Sequence, residues 1–149
     1  MRFGVRLALL SGMAVLCCLG AQRGSLAEIE AIADRETRSR RALAFASGQL
    51  DIVSKAYRDD DLAAGRQALE NMGEAVDLAV SSLEATGKYA RRHPRHFKHA
   101  EIQTRKLLVQ LKQLQSKLYL GDQADFDGII ERIEAANARL LRGLMGPKE

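Results

Sequence analysis

Apolar side chains recur along most of this chain at alternating steps of three and four residues. That spacing decides what the chain can build. Leu43, Ala46, Leu50, Val53 and Tyr57 form one set, and Leu62, Gly65, Leu69, Met72, Val76, Ala79 and Leu83 form a second. Phe97, Ala100, Thr104, Leu107, Leu111, Leu114 and Leu118 form a third, and Phe126, Ile129, Ile133, Ala136, Leu140 and Leu144 a fourth. Residues at these offsets share one helix face, and a mean repeat of about 3.5 favours left-handed, coiled-coil-like packing. No stretch alternates polar and apolar at period two for long enough to suggest a strand.

The breaks between the sets agree with helices. Arg58-Asp59-Asp60-Asp61 separates the first two, with Asp60 or Asp61 placed to cap the second. Thr86-Gly87 is a stop signal, because glycine accepts the left-handed cap conformation. Pro94 lacks an N–H and suits the first turn of a third helix. Leu120-Gly121-Asp122 ends the third and starts the fourth. Connections this short make neighbours antiparallel. The expected fold is all-α: an up-down antiparallel four-helix bundle over 42–146, with a short tail at 147–149. Residues 28–41, EIEAIADRETRSRR, either extend the first helix or stay loose.

The opening stretch, MRFGVRLALLSGMAVLCCLGAQRGSLA, has the layout of a secretory signal peptide. Arg2 and Arg6 precede a charge-free apolar run, Leu7 to Leu19, and Ser25-Leu26-Ala27 fits a small-x-small cleavage site. The run is short of the ~20 residues a membrane span needs. A signal peptide over 1–27 is therefore expected, with Gly20 and Ala21 as alternative cleavage points, and the product is expected to be periplasmic or secreted. Both cysteines, Cys17 and Cys18, fall inside this leader, so the mature chain is expected to carry out no thiol or disulfide chemistry. The leader also holds Arg2, Arg6 and Arg23 and no acid, which leaves 20 bases against 19 acids. A nearly neutral mature chain can recognise a polyanion only through a local patch.

One patch stands out. YARRHPRHFKHAEI, residues 89–102, holds all three histidines. Lys88, Arg91, Arg92, Arg95, Lys98, Arg105 and Lys106 face a single acid, Glu101, over 88–106. The start of a helix adds a dipole and free N–H groups that favour phosphate or carboxylate, and Tyr89 and Phe97 can pack beside a ligand. A solvated helix cap is the plainer reading. Lys88, Arg91, Arg92, Arg95 and Lys98 are the candidate anion-binding residues. Their expected partners are a lipid headgroup, an envelope polymer or an acidic protein. Nucleic acid is not expected, since no nucleic-acid motif accompanies the bases.

Metal binding is a remoter alternative. His93, His96 and His99 have ligand-like spacing, but Pro94 turns His93 away from a helical backbone and the surrounding bases repel a cation. The segment from Gln123 to Glu134 partly resembles an EF-hand loop, with Asp125, Asp127, Gly128 and Glu134 at matching positions and Gln123 where that family has Asp. His96, His99, Asp125, Asp127 and Glu134 are the residues such a site would use. Residues 56–65 resemble the turn of a tetratricopeptide repeat, with Asp60 where glycine is usual, but no second copy follows. Nothing matches a nucleophile–base pair, an HExxH motif or a phosphate loop. The row Glu70, Glu74, Asp77 and Glu84 reads as a solvent face. No enzymatic activity, cofactor or small-molecule substrate is expected. Ile102 and Val109, spare apolar residues on a second face, suggest a homodimer.

In RRHPRHFKHAEIQTRKLL and LLRGLMGPK the chain resembles small signal-bearing bacterial helical proteins with no assigned function. That resemblance implies a helical, exported protein and brings no activity with it.

Overall fold

The computed structural model describes residues 25–146. Among these residues there are five helices and no strand: α1 (Leu26–Glu30), α2 (Arg35–Arg58), α3 (Leu62–Glu84), α4 (Pro94–Gln115) and α5 (Leu120–Met145). No described helix is long and apolar enough to cross a membrane. The Leu7–Leu19 run, Cys17, Cys18 and the Gly20 and Ala21 cleavage points lie outside the described residues.

The polar stretch before the first apolar set is structured. Ser25 accepts from the Glu28 N–H, and Glu28 accepts from the Ser25 N–H at 3.0 Å, a reciprocal cap on α1. Ile29 is buried in the core. The chain then turns, and Arg38 holds the turn by donating to the Ile32 carbonyl from Nε at 2.8 Å and from Nη2 at 2.6 Å. Asp34 caps α2 by accepting from the Thr37 N–H at 2.8 Å. Residues 35–41 are therefore the first turns of α2.

Asp60 takes the left-handed conformation, φ 58°, that reverses the chain after α2. Asp61 then caps α3 through the Ala64 N–H at 3.1 Å. The two helices run antiparallel along the most extensive interface in the molecule. Near the turn, the Tyr57 ring lies on Gly65, where an added Cβ would stand 2.5 Å from the ring. At the far end Arg35 donates to the Ala85 carbonyl. α4 and α5 form the second antiparallel pair. Gln115 donates to Asp127 at 2.7 Å near their turn, and Asn137 donates to Thr104 Oγ1 at 2.7 Å midway.

The two pairs meet through parallel neighbours. Along α3 and α5, Arg66 pairs with Asp125, Arg132 with both Glu70 and Asp77, and Arg139 with Glu84. Partners that rise in number together mark helices running the same way. α2 packs on α4, and their first turns share the Glu36–His96 contact. The stripes face inward as their spacing requires. Leu69, Met72, Val76, Leu83, Leu107, Leu111, Phe126 and Ile133 are almost wholly buried, and Leu50, Tyr57, Leu114, Leu118 and Leu144 pack on the margin of the core. Thr104, the polar member of the third stripe, spends its hydroxyl proton on the Ala100 and Glu101 carbonyls and accepts from Asn137. The Ser82 hydroxyl is the only buried side-chain polar atom among the described residues without a partner.

Candidate anion-binding site

The connection between α3 and α4 builds one end of the molecule. Gly87 adopts φ 69°, closing α3 in the left-handed conformation its position requires. Thr86 donates to the Leu83 carbonyl and accepts from the Lys88 N–H. Both the Arg92 and the His93 N–H donate to the Tyr89 carbonyl, so the chain coils tightly just before Pro94. Ala90 is buried by that turn, while Tyr89, Arg91, Arg92, His93 and Arg95 are exposed. A single small side chain thus anchors a loop that is otherwise basic and aromatic.

The five candidate bases have different fates. Lys88 Nζ lies 2.6 Å from Glu36 Oε1, and His96 Nε2 lies 3.2 Å from Glu36 Oε2. The hydrogen bond from Lys88, with a smaller contribution from the His96 charge, holds the Glu36 carboxyl below its ordinary value. Arg91 donates one N–H to the Gly146 carbonyl at the end of α5. The Arg92 guanidinium lies over the Tyr89 ring, 5.7 Å from its centre, a cation–π contact. Arg95 and Lys98 are exposed and have no ion pair among the described residues. Lys88 is therefore neutralised. Arg91 and Arg92 are held in place by groups that leave their charge uncompensated. Arg95 and Lys98 stand free.

Between this loop and the last turns of α5 lies an open cleft of about 950 Å³. Lys88, Tyr89, Arg91 and Arg92 form one wall, and Leu140, Gly143 and Gly146 form the other. Phe97, which is buried, closes the back. The cleft has one carboxylate, Glu84, and Arg139 holds it in an ion pair.

The remoter metal candidates are scattered. His93 starts α4 without a side-chain capping bond, and His99 is exposed. Residues 123–134 lie within α5, so the EF-hand-like segment is helix from end to end. Asp125 accepts from Tyr57 and from Arg66, each at 2.9 Å. Burial, reinforced by the Asp125 carboxylate, pushes the Tyr57 phenol well above its ordinary value. Asp127 accepts from Gln115, and Glu134 pairs with Lys112. Among the described residues no three His, Cys, Asp or Glu side chains group as metal ligands.

The acidic row on α3 faces solvent, with Glu70, Glu74 and Glu84 exposed and Asp77 half-exposed, and Glu70, Asp77 and Glu84 also tie α3 to α5 through Arg132 and Arg139. Sequence reasoning missed Glu36, Ala90 and Gly146 as parts of the basic end. Lys88 and Glu36 are 52 positions apart, and Arg91 and Gly146 are 55 apart. No local pattern links residues so distant.

No family model, curated protein or solved structure matches this chain.

Proposed function

We propose that the chain is an exported, non-enzymatic binding or scaffold module. Four long helices in up-down order act as a rigid support, and the end formed by residues 85–98 receives an anionic envelope component. One observation carries this reading: Arg91, Arg92, Arg95 and Lys98, close together in the chain, have no carboxylate partner among the described residues, and Arg91 and Arg92 line the cleft. Arg66, Lys112, Arg132 and Arg139 lie against acids, whereas Arg40, Arg41, Lys55, Arg58, Lys106, Lys117 and Arg142 also have no ion pair among the described residues but are not gathered in so short a run. A cluster of like charges costs the folded state some repulsion, which a bound anion relieves.

The test is co-sedimentation of the protein with vesicles of phosphatidylcholine containing phosphatidylglycerol. Each base near an anionic surface contributes about 1 kcal/mol. Reversing Arg92, Arg95 and Lys98 to Glu is therefore expected to weaken binding by about a hundredfold or more. Arg91 is left intact because it fastens the end of α5. Binding should also fall with added salt, as exposed charges are screened over about 8 Å at physiological ionic strength. Undiminished binding of the triple variant overturns the proposal.

A further inference from the structure

Charge is unevenly divided between two long helices. α4 carries Arg95, Lys98, Arg105, Lys106 and Lys112 against one acid, Glu101, which is buried. α3 carries Glu70, Glu74, Asp77 and Glu84 against one base, Arg66. Both helices pack along α2 and α5, so they stand across the core from each other. Arginines of α5 answer three of the α3 acids. One flank of the molecule, that of α4, is therefore strongly basic, and the flank across from it is not.

Within α4 the bases take one face. Arg95, Lys98, Arg105 and Lys106, with Ile102 and Val109 among them, recur at helical spacing opposite the buried Phe97, Ala100, Thr104, Leu107 and Leu111. All four bases are exposed, Val109 is 51% exposed and Ile102 is partly so. Only Arg105 among these four has an ion pair, with Glu101. From Arg95 to Val109 the face runs about 21 Å, at 1.5 Å per residue. None of its residues lines the cleft. The outer side of a helix is convex and grips no single ion. It suits a flat surface with anionic groups outermost and apolar material beneath, because bases meet the first layer while exposed aliphatic side chains between them reach the second.

We propose that α4 lies along the surface of an anionic lipid bilayer, with Arg95, Lys98, Arg105 and Lys106 on the headgroups and Val109 between them. This rests on the anion-binding reading above and names its partner: the basic end continues along the flank, and the molecule lies on its side.

The chain contains no tryptophan, so a single introduced one reports its own surroundings. Val109→Trp and, as a control on exposed Gln67 of α3, Gln67→Trp are titrated with vesicles of phosphatidylcholine containing phosphatidylglycerol. Emission from Val109→Trp is expected to shift to shorter wavelength and to become shielded from acrylamide, while that of Gln67→Trp stays unchanged. Lys106→Glu is expected to weaken vesicle binding about fivefold or more, the contribution of one base near an anionic surface. Lys106 is exposed and has no ion pair among the described residues, so its variant leaves the fold intact. Vesicle binding with no shift in Val109→Trp and full affinity in Lys106→Glu overturns the proposal; the end alone then binds, and the anion-binding reading stands. A Val109→Trp shift that appears without vesicles and grows with protein concentration also overturns it, since a second copy then covers the face. Poly-L-glutamate that binds as tightly as the vesicles, with the same loss in Lys106→Glu, overturns the bilayer in favour of an acidic protein. No vesicle binding by the unsubstituted chain removes both readings.

Discussion

Asp60 is the one described non-glycine residue in the left-handed region, and its side chain makes no hydrogen bond that rewards the conformation. Aspartate tolerates this backbone better than most residues, but it still bears a steric cost that glycine avoids. Asp60→Gly is expected to raise stability by up to about 1 kcal/mol, the steric relief being partly offset by glycine's larger unfolded-state freedom. Urea denaturation at neutral pH measures this, and a lower midpoint for the variant contradicts it. This position was partly legible: the turn that these residues resemble has glycine where Asp60 stands, but Asp60 and Asp61 were equal candidates for the cap of α3, and the structure gives the cap to Asp61 and the left-handed backbone to Asp60. Gly65 was legible only in part. Its place in the apolar stripe was clear, but that it leaves room for the Tyr57 ring depends on a residue from the facing helix.

The helices themselves were readable because burial imposes a period on the residues it covers. Their pairing was not. A stripe says which face of a helix is covered, and says nothing about which neighbour covers it, so the parallel contacts of α3 with α5 and of α2 with α4 had no counterpart in the spacing. Asn137 makes the same point. It lies beside the fourth stripe, outside the apolar set, yet it is buried and joins α5 to α4 by donating to Thr104 Oγ1 and the Glu101 carbonyl. Removing it leaves those acceptors short of a donor in a closed space. Asn137→Ala is expected to cost about 1–3 kcal/mol, read from the shift in urea midpoint; a change much smaller than that would mean water replaces the amide.

The first short helix bears on processing. Ser25 and Leu26 belong to α1, one as its cap and the other packed on the core. A cut after Ala27 discards both, whereas a cut after Gly20 or Ala21 keeps them. If the chain is exported as proposed, the mature form is expected to begin at Ala21 or Gln22. Amino-terminal sequencing of the secreted product decides this, and a sequence starting at Glu28 refutes it.

For the molecule as a whole, the basic end is also a clasp. Asp34 and Glu36, at the start of α2, both have carboxyls held below their ordinary values. For Asp34 the main cause is the Thr37 hydrogen bond, and for Glu36 the bond from Lys88. A depressed carboxylate contributes stability that is present above its unfolded value and lost as pH falls through its folded value. The thermal midpoint should therefore hold steady down to the ordinary glutamate value of 4.5 and decline below it. Glu36→Gln should lower the midpoint near neutrality and flatten the acid decline. An equally steep acid decline in that variant would show that the clasp contributes nothing. At this scale the candidate site was half visible from the outset. A run of bases is obvious in any sequence, but which of them is neutralised by Glu36 and which is merely fastened to the Gly146 carbonyl is decided only when the ends of distant helices meet.

Gly146 lies at the pole that carries the cleft, while the opposite pole holds the α2–α3 and α4–α5 turns, with Tyr119 and Leu120 uncovered. An affinity tag or a surface tether joined directly after Gly146 is therefore delivered next to the arginines and competes with whatever they bind. A label or immobilisation point at Tyr119 leaves them open to solution, and that is where a binding assay on this protein should take hold of it.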